Sequence, residues 1–226
     1  MFDAIAHRYD LLNHLLSGGL DVYWRARAIR ALRFTGRETV LDLCTGTGDL
    51  AIAALDRRSG GAGRVIGLDF AAAMLRIGQR KLRDRGLDVL APLVRADAMQ
   101  LPLASGVVDA VTIAFGIRNV ADPAAACREI ARVLRPGGRL AVLEFSMPRL
   151  PLVRGAYTWY FRHVLPRIGR ALSQHHEAYT YLPASVGAFL TPDEFAALVG
   201  GAGFTRVRAV SLTLGVVYLY TAVKAG

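Results

Sequence analysis

Apolar and polar positions along this chain fall into two regimes. As far as residue 146, short apolar runs alternate with longer stretches whose apolar residues recur at helical spacing. The runs TVLDLC (39–44), RVIGLDF (64–70), VLAPLVRAD (89–97), VDAVTIAF (108–115) and RLAVLEFS (139–146) read as strands. The third is interrupted at Pro92, and the fifth is entered through the turn Pro136-Gly137-Gly138. Helices are predicted over 49–58, 71–85 and 122–134. Strands alternating with helices build right-handed βαβ units, which lay the strands parallel and cover both faces of the sheet.

Beyond residue 146 the pattern changes. Residues 150–183 read as a long insertion rich in Tyr, Trp and Phe. A helix over 192–200 follows, capped by Thr191 with Pro192 at its first position. Two last strands, FTRVRAVSL (204–212) and GVVYLYTAV (215–223), are joined by a link so short that they must be antiparallel neighbours. At the other end, residues 1–35 read as amphipathic helix with a turn at Ser17-Gly18-Gly19, and form a lid. The predicted fold is α/β: a single domain with a doubly wound, mostly parallel sheet of about seven strands, ending in an antiparallel hairpin.

Composition narrows the class. The chain has 226 residues, 53% of them hydrophobic and 20% charged, enough apolar material for a large core. No apolar run is long enough for a membrane-spanning helix. The first residues, MFDAIAHRYD, lack the basic-then-apolar order of a signal peptide, so a cytoplasmic protein is expected. Cys44 and Cys127 have neither metal-type spacing nor the number for a disulfide framework. The net charge of +10 is mostly arginine at helical spacing, such as Arg25, Arg27, Arg30 and Arg33. Solvated helix faces account for much of it, and attraction to an anionic membrane surface comes next. Nucleic acid is not expected as a partner, because no basic run is interleaved with aromatics that stack bases.

The first strand breaks into Gly46-Thr47-Gly48, and Gly46 to Ala51 fits G-x-G-x-x-G/A, the signature of a loop that meets a nucleotide at a helix N-terminus. Asp42 on the strand and Asp49 in the first helical turn place carboxylates beside that loop. They would repel a pyrophosphate and attract a cation. S-adenosylmethionine is cationic and has no phosphate. Asp69, closing the second strand before Phe70, suits ribose hydroxyls, as it would in a dinucleotide site. Asp97 closes the third, and suits an adenine amino group with Ala98 and Met99 against the ring. Ala114, at the end of the fourth strand, completes the expected cofactor wall.

The segments FDAIAHRYDLLNHLLSGGLD (2–21), VLDLCTGTGDLA (40–51), GLDF (67–70), ADAMQLP (96–102), TIAFGIRNV (112–120), RVLRPGGRLAVLEFS (132–146) and AYTYLPASV (178–186) carry a resemblance. The chain resembles the class I S-adenosylmethionine-dependent methyltransferases, and within them the ubiquinone/menaquinone biosynthesis C-methyltransferases. The nucleotide motifs are widely shared, whereas FGIRN and YDLLN are far more specific. Two stretches depart from the family pattern. Ser173-Gln174-His175 stands where Ser-Gly-Asp is usual, and Thr213-Leu214-Gly215 with Tyr220 where Thr-Gly-Gly with a later His is usual.

The resemblance implies methylation of a ring carbon of a prenylated quinol, demethylmenaquinol first, with the ubiquinone-pathway methoxybenzoquinol as the alternative. A ring carbon is a poor nucleophile until the neighbouring hydroxyl loses its proton, so the site must stabilise a phenolate-type oxygen and later accept the ring proton. Arg118 and Asn119, following the fourth strand, are the candidates for the oxygen. A guanidinium lowers the pKa of a nearby hydroxyl and does not itself act as base at a pKa above about 12. His7 is the candidate proton acceptor. Tyr9 and Asn13 on the lid, with Tyr179 and Tyr181, are candidates for the quinol pocket. Because the substrate lives in a bilayer, a peripheral position on the inner face of the cell membrane is expected. The basic and aromatic segment PLVRGAYTWYFRHVLPRIGRAL (151–172) would meet the lipid. A homodimer fits the resemblance as well as a monomer. An NAD-dependent oxidoreductase, a non-catalytic S-adenosylmethionine binder and a nucleic-acid methyltransferase are the rival classes.

Overall fold

The computed structural model describes residues 14, 17–56, 61–164 and 177–226. Its strands are β1 (Thr39–Leu43), β2 (Arg64–Asp69), β3 (Leu93–Arg95), β4 (Val108–Ala114), β5 (Leu134–Phe145), β6 (Phe204–Leu212) and β7 (Val217–Lys224). Its helices are α1 (Leu20–Leu32), α2 (Asp49–Leu55), α3 (Ala72–Arg83), α4 (Pro123–Val133), α5 (Pro151–Trp159), α6 (Glu177–Ala188) and α7 (Pro192–Gly201). The strands form one sheet in the order β3-β2-β1-β4-β5-β7-β6. Strands β1 to β5 are parallel, and β7 runs antiparallel to β5 and β6. The terminal hairpin therefore folds back, its second strand next to the parallel sheet and its first at the edge.

Two strands depart from the sequence reading for local reasons. β3 is much shorter than 89–97, because Pro92 has no N–H for the ladder and the chain before it turns, Leu90 N–H donating to the Leu87 carbonyl at 3.0 Å. β5 is longer than expected. Val108 pairs with Leu134 and Ala110 with Arg139, so Pro136-Gly137-Gly138 is a bulge inside the strand and not a turn ahead of it. Gly137 takes φ 74 there, a conformation that suits glycine. At α7 the expected cap holds as a full capping box. Glu194 N–H donates to Thr191 Oγ1, and Thr191 N–H to the Glu194 carboxylate.

The two-residue period of the strands divides the core between the sheet's faces. Leu41, Leu43, Val111 and Ile113 point to one face, under α4 and α7 with Ile130 and Phe195. Val40, Ala110, Ala141 and Leu143 point to the other, under α1 and α2 with Ile29, Leu32 and Ala54. Within the expected lid of 1–35, α1 is thus a fixed layer of the core. Trp24 is 2% exposed, its Nε1–H donates to Thr213 Oγ1 at 2.8 Å, and its ring meets Phe115 and Phe145 edge-on. At the far end of α1, the Arg139 guanidinium caps the carbonyls of Leu32 and Arg33 and pairs with Glu38 at 3.1 Å.

From β1 the chain moves outward through β2 and β3, then returns to place β4 on the other side of β1. The carboxyl ends of β1 and β4 are the switch point where an open α/β sheet presents its crevice.

Candidate functional site

That crevice is a cavity of about 350 Å³, walled by the segments that leave β1, β2, β3 and β4. The first residue after β1 is Cys44, which takes φ 56 although it is not glycine. Gly116, after β4, touches it. A Cβ on Gly116 would lie 2.3 Å from the Cys44 Cβ, so the missing side chain at 116 is what admits the thiol to the wall. Burial, then the charges of Asp69 and Asp42, push this thiol far above the ordinary cysteine range, and it stays protonated.

The Asp69 carboxylate holds the glycine loop to β2. Its Oδ2 accepts Gly46 N–H and its Oδ1 accepts Ala71 N–H, each at 2.8 Å. Asp97 Oδ1 accepts Met99 N–H at 2.8 Å, which turns the chain after β3 so that Ala98 and Met99 line the cavity. Phe70 lines it too and is 67% exposed; the Arg95 guanidinium lies 5.2 Å from its ring centroid on the solvent side. Ala114 and Asn119 line the opposite wall.

Of the expected cofactor residues, Gly46, Asp69, Phe70, Asp97, Ala98, Met99 and Ala114 come together at this cavity. Asp42, Thr47 and Gly48 do not line it. The idea of two carboxylates flanking the loop is corrected by their surroundings. Asp42 is fully buried beneath the loop, accepting Thr45 Oγ1–H at 2.5 Å and Thr112 Oγ1–H at 2.8 Å. Its alternation places it on the α1 face of β1, away from the cavity. Desolvation raises its pKa to about 6 against the opposing hydrogen bonds of Thr45 and Thr112, with the charge of Asp69 adding to the rise. Asp49 is met by the Lys81 ammonium and, at 3.5 Å, by Arg25. The acidic wall is instead Asp69 and Asp97. No Lys or Arg is among the described residues that line the cavity.

Arg118 and Asn119 sit on one short turn, Ile117–Asn119, and both side chains donate to the Phe115 carbonyl. Asn119 lines the cavity, whereas Arg118 is turned toward β5 and the insertion. Its guanidinium, 6% exposed, pairs with Glu144 at 2.6 Å, and its Nε donates to Ser185 Oγ on α6 at 3.4 Å. Tyr157 of α5 lies close enough to feel both charges; burial above all pushes its phenol well above the tyrosine range. Tyr179 and Tyr181 fall on α6, with side chains outside the described residues, and His7, Tyr9 and Asn13 lie outside them altogether. Thr213 accepts the Trp24 hydrogen bond, and Tyr220 packs edge-on against Phe195 in the core.

The sequence reading placed Tyr157 only within the basic and aromatic segment expected at the lipid, and gave no site role to Phe115, Gly116, Ser185 or Glu144. Only Glu144 left a legible sign, a lone acid within the apolar run LAVLEF.

The glycine loop, the acids closing β2 and β3, and the antiparallel β7 beside β5 define a class I methyltransferase. A crystal structure of an S-adenosylmethionine-dependent methyltransferase from Aquifex aeolicus superposes with TM-score 0.63 at 18% identity, covering 90% of this chain and 91% of that one. The family follows from sequence. Residues 1–224 match the ubiE/COQ5 methyltransferase family, and the chain belongs to it. It is 48% identical to demethylmenaquinone methyltransferase of Thermus thermophilus, over 97% of this chain and 98% of that protein. It is also 48% identical to the ubiquinone/menaquinone biosynthesis C-methyltransferase UbiE of Syntrophotalea carbinolica, over 100% of this chain and 93% of that protein.

Proposed function

We propose that this chain methylates a ring carbon of a prenylated quinol, demethylmenaquinol, using S-adenosylmethionine. One observation carries the choice of donor. The charged residues among those lining the cavity are two aspartates, which suits a cationic adenosyl compound and leaves the pyrophosphate of a dinucleotide without a counter-charge. The names of the Thermus and Syntrophotalea relatives support the acceptor. The second name covers the ubiquinone pathway too, so its methoxybenzoquinol is the second reading.

When bound, S-adenosylmethionine supplies an electrophilic methyl group on a sulfonium. Asp69 would orient the ribose hydroxyls, while Asp97 and Phe70 would hold the adenine end. Asn119, Phe115 and Gly116 line the cavity beside the turn of Arg118, where the methyl end would lie. Arg118 would donate to the quinol oxygen as the hydroxyl proton passes to solvent water, which raises electron density at the neighbouring ring carbon. That carbon would take the methyl, His7 would accept the displaced ring proton, and the quinol oxygen would regain a proton from water, so that one proton is released overall.

The acceptor's prenyl chain places the reaction at the inner face of the cell membrane. Between Glu144 and Glu177 the sequence has no acidic residue, and α5 leaves Leu152 and Trp159 exposed near Arg149 and Arg154. Among the described residues no helix is long and apolar enough to cross a membrane; the exposed apolar and basic side chains of this segment support a peripheral attachment. The test is incubation with methyl-labelled donor and each demethylated quinol, followed by lipid extraction. Label in the quinol fraction supports the proposal. Label only in protein or nucleic acid overturns it.

A further inference from the structure

Glu144 stands on β5, fully buried, and has no part in the reaction sketched above. Three donors face its carboxylate. Arg118 N–H reaches Oε2 at 3.2 Å, Arg118 Nη1 reaches Oε1 at 2.6 Å, and Phe145 N–H reaches Oε1 at 2.8 Å. Two of the three belong to Arg118, one from its backbone and one from its guanidinium. A single carboxylate therefore fixes both the turn that carries Arg118 and the direction of its side chain. The guanidinium also donates to the Phe115 carbonyl, and it lies 5.4 Å over the Phe145 ring. Phe115 and Asn119, on either side of Arg118, line the cofactor cavity. Stability alone gives little reason for such a pair, since an apolar replacement of both partners in a buried site is commonly as stable.

We infer that Glu144 is the positioning residue of the methyl-transfer site. It holds the guanidinium of Arg118 at the boundary between the cofactor cavity and the insertion. By neutralising that charge, it makes Arg118 act through aimed N–H groups instead of as a diffuse cation. The inference rests on the methyl-transfer reading above.

Glu144→Asp tests it most directly, because the charge stays while the carboxylate retreats by one methylene. Misplacement on that scale in a positioned site costs roughly 10²-fold in rate. The expected result is a fall of that size in kcat with demethylmenaquinol, with Tm and calorimetric affinity for S-adenosylhomocysteine close to wild type. Arg118→Met and the double variant Arg118→Met/Glu144→Gln separate positioning from folding. Arg118→Met leaves a buried carboxylate unpaired and lowers Tm, and the double variant regains Tm. Its kcat should stay at the level of Arg118→Met alone, because the two residues act as one unit. Wild-type kcat in Glu144→Asp, or recovery of kcat together with Tm in the double variant, overturns the inference. If the wild type itself labels no quinol, the methyl-transfer reading fails first, and the role of Glu144 falls with it.

Discussion

Asp42→Asn removes one charge from beneath the glycine loop and changes almost nothing in volume. The native carboxyl titrates at about 6 against an ordinary 3.8, because burial penalises its ionised form more than the hydroxyls of Thr45 and Thr112 favour it. The difference of about 2 pH units corresponds to about 3 kcal/mol at 1.36 kcal/mol per unit, an order-of-magnitude figure. The native pKa is the higher one, so the folded protein binds the proton more tightly. This group's contribution to stability is present in full below about pH 4 and disappears as pH rises through 6. The introduced amide would stay neutral throughout, its carbonyl accepting from one threonine and its NH₂ donating to the other. The measurement is urea unfolding of both proteins in steps from pH 4 to pH 7.5. Glu38 runs the other way: in spite of burial, the bonds from Thr35 and Arg139 hold its carboxyl at about 2. Its contribution is lost as pH falls, equally in both proteins, so it cancels from the difference. The variant should gain on the wild type by about 3 kcal/mol across the range, most of it between pH 4 and 6. A constant difference over that window would refute the assignment of a raised pKa to Asp42.

Gly116→Ala should abolish S-adenosylhomocysteine binding in calorimetry, because the new Cβ meets the Cys44 Cβ, which cannot retreat; Cys44→Gly in the same chain should restore it. Cys44→Gly alone should raise stability by about 1 kcal/mol in chemical denaturation, since glycine accepts φ 56 without the steric cost. Asp69→Asn should weaken cofactor binding by about 1.5–3 kcal/mol, because an amide group then faces the N–H donors of Gly46 and Ala71. Trp24→Ala should cost about 3–5 kcal/mol in stability by emptying the buried site between Phe115 and Phe145. Anionic vesicles should bind the protein in sedimentation more strongly than neutral ones, and salt should weaken that binding. Equal binding to both, or binding to neither, would count against the electrostatic part of the attachment.

The alternation of apolar runs and helical stretches was enough to place the seven strands, and the short link after Leu212 was enough to make the last two antiparallel. Gly46, Asp69, Asp97, Ala98 and Met99 were legible as residues that meet at one crevice for the same reason. Each lies at the end of a strand, and a parallel sheet brings those ends to one edge whatever the helices do. The roles of Asp42 and Asp49 were not legible. Their type and position give a charge beside the loop, but alternation buried the one, and the packing of α1 and α3 supplied Arg25 and Lys81 to the other. The partnership of Arg118 with Glu144 was hidden in the same way. It joins residues 26 positions apart, brought together by the pairing of β4 with β5. Local sequence fixes which residues reach the carboxyl edge, because strand geometry is local. Which charges stay active there is decided by burial and by partners from distant segments, and only the assembled layers set those.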